Sequence, residues 1–359
     1  MEMDTTYFSD SVFEIQNNLL KWFRKNGRHW IPWKLNKDGS LVESGKIISP
    51  YGIWIAEVML QQTQLNVVIN YWNKWMKAFP SLNDLVESDQ QDILMIWQGL
   101  GYYSRAKRIH ESSRILVNII GKNNINEPTF WPSDLDQWIR LPGIGRSTAG
   151  GIISSAFDIP EPILDGNVKR ILTRLIASDK PTSQNQKRLW DLSTLLLSLK
   201  SPRDFNQALM DLGSLVCTYK NPSCACCPLQ KYCLAFIKYD PIDFPIKQMK
   251  QTISNEEIGV GLVFNKAGLI LIDQRLESSS MGGMWEFPGG KREMDEPIEK
   301  TIEREIKEEL EIEIKVKEKL LSFEHLYSHK KLYFTVHICE LISGTPKPIA
   351  SQKLLWVSP

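Results

Sequence analysis

A change of hydrophobic period near residue 255 places the strongest constraint on the fold of this chain. Up to about residue 235, apolar residues recur at helical spacing and strand-like alternation does not rise above it. Beyond that point, short β-type runs such as 258–264 and 331–338 flank a charged helical segment over 297–311. The sequence therefore predicts a multidomain protein in which an all-α part is followed by an α/β part.

The domain boundaries follow from the stretch rich in proline and polar residues that separates the two patterns. We predict a helical domain over residues 1–237, a linker over 238–255 that is rich in proline and polar residues, and a second domain over 256–359. The formal net charge of +1 combines a mildly basic first part with an acidic second part, so the first part is the better candidate for a polyanionic partner.

Cysteine usage and apolar run lengths indicate the compartment. No run approaches eighteen apolar residues and the N-terminus lacks a signal-peptide pattern, which predicts a cytoplasmic protein without membrane contact. Four cysteines, Cys217, Cys224, Cys227 and Cys233, stand as C-x6-C-x2-C-x5-C. In a reducing compartment this crowding favours a metal site over disulfides. The ligand type leaves both zinc and an iron-sulfur cluster open, and Cys226 is an extra thiol outside the pattern.

The segment from Leu141 to Leu172 combines a tight turn with one carboxylate. In its Leu-Pro-Gly-Ile-Gly turn, Gly143 and Gly145 let the backbone approach a partner closely and expose N–H groups where the next helix begins, which suits a phosphate. Asp165 follows an apolar run and precedes Gly-Asn, so its simplest role is to cap the next helix.

Together these features resemble the helix-hairpin-helix DNA glycosylases. In that superfamily the hairpin, here at about 137–156, holds the DNA backbone, and an Asp at the offset of Asp165 faces the extruded nucleotide. The cysteine spacing over 217–233 resembles the 4Fe-4S loop of its endonuclease III and MutY branch. The resemblance therefore implies a 4Fe-4S cluster on the four cysteines rather than zinc.

Glu57 lies in an apolar helix start that reads Trp-Ile-Ala-Glu-Val-Met-Leu-Gln-Gln-Thr-Gln. It either points to solvent or lines a pocket, where desolvation raises the pKa of the carboxyl and makes it a proton donor near neutral pH. The stretch resembles the MutY family of adenine glycosylases, in which the Glu at this place protonates the departing base. Glycosidic cleavage needs a proton donor and an anion that stabilises the oxocarbenium-like sugar, roles that we assign to Glu57 and Asp165.

The same resemblance assigns further residues. Asn167 is expected to orient Asp165 or the sugar, and Ser147 stands where lyase-type relatives carry a nucleophilic Lys, which predicts a monofunctional hydrolase. Gln62, Thr63 and Tyr102 match MutY segments that enter the base stack beside 8-oxoguanine. For Tyr102 the alternative is an ordinary core aromatic. Three basic residues follow Tyr102: Arg105, Lys107 and Arg108. They either contact DNA phosphates or form a solvated helix face.

The second domain contains a segment that resembles the Nudix box of MutT-type hydrolases. Glu305, Glu308 and Glu309 share one helical face and could hold Mg²⁺ against a diphosphate. Glu311 departs from the box, which has Gly there because the helix exit is left-handed. The loop Tyr327-Ser328-His329 resembles the 8-oxoguanine-contacting loop of MutY proteins, which favours lesion recognition over hydrolysis.

We therefore expect a DNA glycosylase of base excision repair that removes adenine opposite 8-oxoguanine or guanine in double-stranded DNA. By resemblance it is a monomer in the bacterial cytoplasm, associated with the nucleoid. Three alternatives remain: a bifunctional glycosylase and abasic-site lyase, a Mg²⁺-dependent Nudix hydrolase of oxidised nucleotides, and a DNA-binding module without catalysis.

Overall fold

The computed structural model describes residue 8 and residues 10–36, 38–246, 254–279, 281–326 and 330–359. The chain divides into two compact units, Met1–Gln248 and Met249–Pro359. Residues 247–253, in the predicted linker, lie outside the described residues. Each described helix is too short or too polar to cross a lipid bilayer.

The first unit is helical, as the periodicity predicts. Its helices are α1 (Val12–Asn26), α2 (Pro50–Leu60), α3 (Leu65–Ala78), α4 (Leu82–Glu87), α5 (Gln90–Trp97), α6 (Ser104–Ile120), α7 (Leu135–Ile139), α8 (Arg146–Phe157), α9 (Gly166–Leu175), α10 (Gln186–Leu196), α11 (Pro202–Leu215) and α12 (Leu234–Lys238). In the part of this unit that the structure describes, the strand-like pairing is limited to a bridge between Leu35 and Leu41. The all-α prediction is confirmed.

A hairpin joins α7 to α8. The Asp134 carboxylate caps α7 by accepting hydrogen bonds from the amides of Asp136 and Gln137, and Gly145 precedes α8 in an extended conformation. Gly143 has φ +79°, in the region where a side chain would clash with the backbone, which explains a glycine at this turn. The two helices and their turn are the predicted hairpin motif.

Helices α1, α9, α10 and α11 share one core. Leu19, Leu172 and Phe205 are buried there, and Cys217, Cys227 and Cys233 pack against its edge. Burying one such side chain contributes about 2 kcal/mol, so the packing fixes α9 firmly. It therefore fixes Asp165, which stands at the N-terminus of that helix.

The long segment before α2 is held by the far end of α8. The amide of Ile48 donates to the carbonyl of Ala156 at 2.9 Å, and the amide of Gly45 donates to Asp158 Oδ2 at 2.8 Å. Arg203 adds a hydrogen bond of 2.6 Å to the carbonyl of Lys46. These contacts fix the point at which the chain enters α2.

The second unit is an α/β fold, as predicted. Its elements are β1 (Ser254–Phe264), β2 (Ile270–Arg275), β3 (Trp285–Glu286), β4 (Gly289–Lys291), α13 (Ile298–Leu310), β5 (Glu313–Leu326), β6 (Lys330–Ser343) and β7 (Ser351–Val357). The sheet order is β3-β2-β1-β6-β5, with β4 on β1 and β7 on β2. Strands β1 and β6 are parallel. Apolar residues of α13, including Ile302 and Ile306, form the core against the sheet.

Helix α13 ends in the left-handed conformation that the sequence comparison with the Nudix box predicts. Glu311 is its C-cap residue and has φ +53° and ψ +35°. This is a conformation that glycine adopts without strain and glutamate does not.

Candidate active site

A cavity of about 630 Å³ opens between α2, α8, α9 and α11. Its lining includes five residues that the sequence singled out: Glu57, Thr63, Ser147, Asp165 and Asn167. Glu57 and Asp165 are more than a hundred positions apart in the chain. The fold therefore brings the two predicted carboxylates to one cavity.

Asp165 is held by the start of α9. Its Oδ1 accepts a hydrogen bond of 2.8 Å from the amide of Val168, so the capping role is real. Its Oδ2 has a longer contact of 3.4 Å with Asn167 Nδ2. Arg170 donates to Asn167 Oδ1 at 2.8 Å, which turns the amide nitrogen of Asn167 towards Asp165. One carboxylate oxygen thus anchors the side chain while the other is held only weakly.

Ser147 holds the backbone next to Asp165. Its hydroxyl oxygen accepts a hydrogen bond of 2.9 Å from the amide of Leu164, the residue before Asp165. The first turn of α8 is therefore linked to the segment that carries Asp165. The Ser147 side chain lines the cavity and carries no amine.

Glu57 projects from α2 towards α8, where a glycine makes room for it. A Cβ atom on Gly151 would lie only 3.0 Å from Glu57 Oε2. Burial, followed by the charge of Asp165, raises the pKa of Glu57 to about 7, although the charge of Lys34 opposes the rise. The solvent-facing alternative for Glu57 is therefore wrong, because the carboxyl lies in a desolvated part of the cavity.

Two cations and a buried carboxylate form another part of the cavity lining. Lys34 Nζ lies 3.8 Å from Asp211 Oδ2, with 11% of the Lys34 side chain and 1% of the Asp211 side chain exposed. Burial lowers the pKa of Lys34 to about 8. Arg28 donates to Asp211 through its backbone N, Nε and Nη2 at 2.6–2.8 Å. Local sequence gives no signal for this group, because its members meet only through tertiary packing.

The hairpin turn lies at the edge of the cavity, where Ser147 and Thr148 belong to the lining. Gln61 Nε2 donates to the carbonyl of Gly143 at 3.2 Å and to Thr148 Oγ1 at 3.3 Å, which connects the end of α2 to the hairpin. The position of Gly145 has open space around it. The Arg146 guanidinium lies 4.1 Å above the Trp190 ring. Backbone amides and a cation therefore meet at the exposed start of α8.

Gln62 and Tyr102 lie on two exposed loops rather than in the cavity. Gln62 has φ +60° and Tyr102 has φ +49°, both unusual for residues with a side chain. Tyr102 is 48% exposed, which excludes the core alternative. Arg105 is 5% exposed, so both interpretations of Arg105 from sequence are wrong. Arg108 is exposed and Lys107 half-buried.

The four cysteines of the pattern converge on one small cavity. Cys217, Cys224, Cys227 and Cys233 line it together with Arg174, whereas Cys226 is exposed. Arg174 Nη1 lies 3.2 Å from Cys217 Sγ and also donates to the carbonyl of Thr218 at 2.7 Å. Among the residues described, no three thiol, carboxyl or imidazole groups are spaced to hold a single metal ion.

The acidic face of α13 is partly buried in the second unit. Glu305 lies against Gly290, where a Cβ atom would be 2.2 Å from its Cδ. Burial, followed by the charges of Glu305, Asp273 and Glu286, raises the pKa of Glu309 to about 7. Arg304 pairs with Glu305 at 2.9 Å and with Glu308 at 3.4 Å. The predicted lesion-contacting residues Tyr327, Ser328 and His329 lie outside the described residues.

Comparison with known proteins agrees with this geometry. Residues 55–193 match the HhH-GPD superfamily base excision DNA repair proteins, and residues 259–359 match the NUDIX domain family. An adenine DNA glycosylase of Buchnera aphidicola subsp. Schizaphis graminum (strain Sg) is 36% identical over 334 residues, covering 92% of this chain and 88% of that protein. The Mus musculus adenine DNA glycosylase is 32% identical, with 97% and 76% covered.

A solved structure shares the fold of the helical part. The structure of a thermostable thymine-DNA glycosylase covers 66% of this chain and 100% of its own, with a TM-score of 0.53 and 24% sequence identity. The sequence identity to the two adenine DNA glycosylases extends over nearly the whole chain. The chain belongs to the adenine DNA glycosylase family.

Proposed function

We propose that this chain hydrolyses the N-glycosidic bond of adenine opposite 8-oxoguanine or guanine in duplex DNA and leaves an abasic site. The observation that carries the proposal is the pair of carboxyl groups in one cavity, since Glu57 is desolvated while Asp165 accepts hydrogen bonds from an amide and from Asn167. Two carboxyls in such different environments suit an acid and an anion.

Glu57 is the proton donor in this proposal. With a pKa of about 7, much of its carboxyl is protonated at neutral pH. It gives that proton to a ring nitrogen of the extruded adenine, and the electrons of the C1′–N bond pass to the departing base. The adenine then leaves neutral, which lowers the barrier to bond cleavage.

Asp165 stabilises the positive charge that develops on the sugar. The amide of Val168 fixes one of its oxygens, and Asn167 makes a weaker contact with the other. A water molecule adds to C1′, and its proton goes to the Glu57 carboxylate, which restores the acid for the next cycle. A carboxylate that is already oriented needs little reorganisation when the positive charge develops, which makes this stabilisation effective.

Ser147 favours hydrolysis without strand cleavage. Its hydroxyl is occupied as an acceptor from Leu164, and it supplies no amine that could attack C1′. We therefore expect no covalent trapping of DNA on treatment with borohydride, which distinguishes this reaction from that of a bifunctional lyase.

DNA binding is assigned to the hairpin and the two exposed loops. The amides around Gly143 and Gly145 at the start of α8 suit a phosphate. Gln62, Thr63 and Tyr102 contact the base opposite adenine, and the second unit reads 8-oxoguanine through Tyr327, Ser328 and His329. The enzyme works as a monomer in the bacterial cytoplasm, on nucleoid DNA.

We propose that Cys217, Cys224, Cys227 and Cys233 hold a 4Fe-4S cluster. The donor set fits, because four thiols from one loop meet at one cavity beside the Arg174 cation. The C-x6-C-x2-C-x5-C spacing resembles that of 4Fe-4S loops, which favours the cluster over a single zinc ion. When bound, the cluster would hold the loop against α9, which carries Arg174. Iron content should fall on Cys227→Ser and stay unchanged on Cys226→Ser.

The acidic face of α13 supports a second candidate function, Mg²⁺-dependent hydrolysis of oxidised nucleotides. The observation in its favour is that Glu305 and Glu309 lie together. Conversion of 8-oxo-dGTP that requires Mg²⁺ and is lost on Glu308→Gln would support it.

The glycosylase proposal is tested with Glu57→Gln and Asp165→Asn. Each variant should lose adenine release and still bind the mispaired duplex. A double variant that releases adenine would remove both assignments.

A further inference from the structure

Two loops that carry the predicted base-contacting residues meet around one buried side chain. Residues 61–64 follow α2 and carry Gln62, and residues 98–103 join α5 to α6 and carry Tyr102. Arg105, in the first turn of α6, lies between them and is 5% exposed. Its surroundings decide how the two loops are arranged.

The Arg105 guanidinium contacts acceptors from both sides. On the α2 side, Nη1 lies 2.6 Å from the carbonyl oxygen of Gln61, and Nη2 lies 3.1 Å from Thr63 Oγ1. On the other side, Nη2 lies 3.3 Å from the carbonyl oxygen of Leu100 and 3.1 Å from that of Gly101. Contacts of Nη1 with the carbonyls of Met59 at 2.7 Å and Val58 at 3.1 Å tie it to the end of α2.

Two aromatic rings pack against the Arg105 guanidinium. The guanidinium carbon lies 5.1 Å from the Trp97 ring and 5.4 Å from the Tyr102 ring. Trp97 Nε1 also donates to the carbonyl of Gly101 at 2.9 Å. Tyr102 is thus in contact with the guanidinium that binds the loop of Gln62.

The backbone conformations of the two loops require such support. Gln62 and Tyr102 both lie in the left-handed region, which is unfavourable for residues other than glycine. Strained conformations of this kind persist only when the surrounding contacts determine them. Arg105 contacts both loops at once.

We propose that Arg105 is a positioning residue that couples the two loops, so that Gln62 and Tyr102 keep one relative arrangement and read the base opposite adenine together. This inference rests on the proposed function for its consequence in repair. Arg105 itself touches neither DNA nor the reacting atoms.

The consequence is measured by single-turnover adenine release from duplexes with adenine opposite 8-oxoguanine or guanine. Arg105→Lys keeps the charge but loses the fork that reaches both loops. It should lower the preference for 8-oxoguanine over guanine at least fivefold. Arg105→Met should behave in the same way, and Arg114→Met, which removes an exposed arginine from the same helix, should leave the preference unchanged.

A purely structural role gives a different result. In that case Arg105→Lys lowers the thermal midpoint and slows both substrates by the same factor, with the preference kept. That result would overturn the inference.

A second measurement tests the coupling without DNA and without changing Arg105. Gly101→Ala adds a methyl group where the structure has open space, so its effect is confined to the backbone, which has φ +76°. If Arg105 couples the loops, hydrogen exchange of the amides should rise at least threefold at 61–64 as well as at 98–103. Gly121→Ala, at a left-handed glycine with φ +82° that ends α6, is the matched control and should change exchange only near residue 121.

Unchanged exchange at 61–64 in Gly101→Ala, with exchange at 98–103 raised, would contradict the coupling. If the wild-type chain released no adenine, the proposed function would fail, and the exchange experiment would still decide whether Arg105 couples the loops.

Discussion

Replacing Glu57 by glutamine should remove catalysis and at the same time stabilise the protein at alkaline pH. The folded state raises the pKa of this carboxyl from 4.5 to about 7 because burial in the cavity removes its water. The unfolded chain therefore loses the proton more easily than the folded chain. Ionisation of Glu57 opposes folding, and the opposition grows as the pH rises from about 4.5 to about 7.

The size of the effect follows from the change in pKa. A change in pKa from 4.5 to about 7 corresponds to about 3 kcal/mol of folding free energy. The folded protein loses this full amount of stability above pH 7, whereas at pH 5 it loses less than about 1 kcal/mol. Glutamine has nearly the same shape and stays neutral. At pH 8, Glu57→Gln should therefore raise the thermal midpoint of the first unit by roughly 5–10 °C.

The assay is thermal unfolding of the full chain at pH 5 and pH 8, in which the helical circular dichroism signal is recorded as the temperature rises. Glu43→Gln, the same change at an exposed glutamate, is the control and should follow the wild type at both values. A Glu57→Gln variant whose midpoint follows the wild type at pH 8 would refute the claim that the folded protein desolvates this carboxyl.

Three further predictions concern the pH profile of adenine release, the Gly150-Gly151 pair and Glu311. Single-turnover adenine release should be nearly level around pH 6 and fall tenfold per pH unit well above 7, because the pKa of Glu57 is about 7 and only the protonated form is an acid; a flat profile from pH 6 to pH 9 would contradict this. Gly151→Ala should slow release about tenfold with stability changed by less than about 1 kcal/mol, since its Cβ would lie 3.0 Å from Glu57 Oε2. Gly150→Ala, whose Cβ would lie 2.5 Å from the carbonyl oxygen of Pro162, should instead destabilise the fold by about 2 kcal/mol in denaturant titration. Glu311→Gly should stabilise the second unit by about 1 kcal/mol in calorimetry, because Glu311 has φ +53° and its ion pair with Lys347 is exposed; a lower midpoint would count against this account.

The fold class was predictable because each unit has its own hydrophobic period. Helical spacing before residue 235 and alternation after 255 distinguish the all-α from the α/β part without knowledge of any contact. The left-handed exit at Glu311 was predictable too, since the Nudix box has glycine at that position. These are local properties, and the structure confirms them.

The environment of Glu57 could not be derived from sequence, because three distant segments create it. Gly151 makes room on α8, Lys34 comes from the segment before the long loop, and Asp165 comes from the start of α9. The Gly150-Gly151 pair in an apolar helix is the one local signal of a close approach. Nothing near Lys34 in the sequence indicates a buried amine.

For Arg105, the sequence predicted an accessible side chain and the structure shows a buried one. Its spacing with Lys107 and Arg108 suggested a basic surface, yet the carbonyl groups of two loops surround its guanidinium. A buried arginine is stable only where it finds many acceptors, and helical periodicity carries no information about loops that fold back onto the helix.

The most direct test of the central claim is the release of free adenine by the wild-type chain. Matched duplexes that carry adenine opposite 8-oxoguanine, guanine or thymine are incubated with excess enzyme at pH 6.5, the free base is quantified, and the strand is heated in alkali to reveal abasic sites. We predict release from the first two duplexes, one abasic site for each adenine, and none from the adenine–thymine duplex. No adenine from any of the three, with the duplexes bound, would contradict the account.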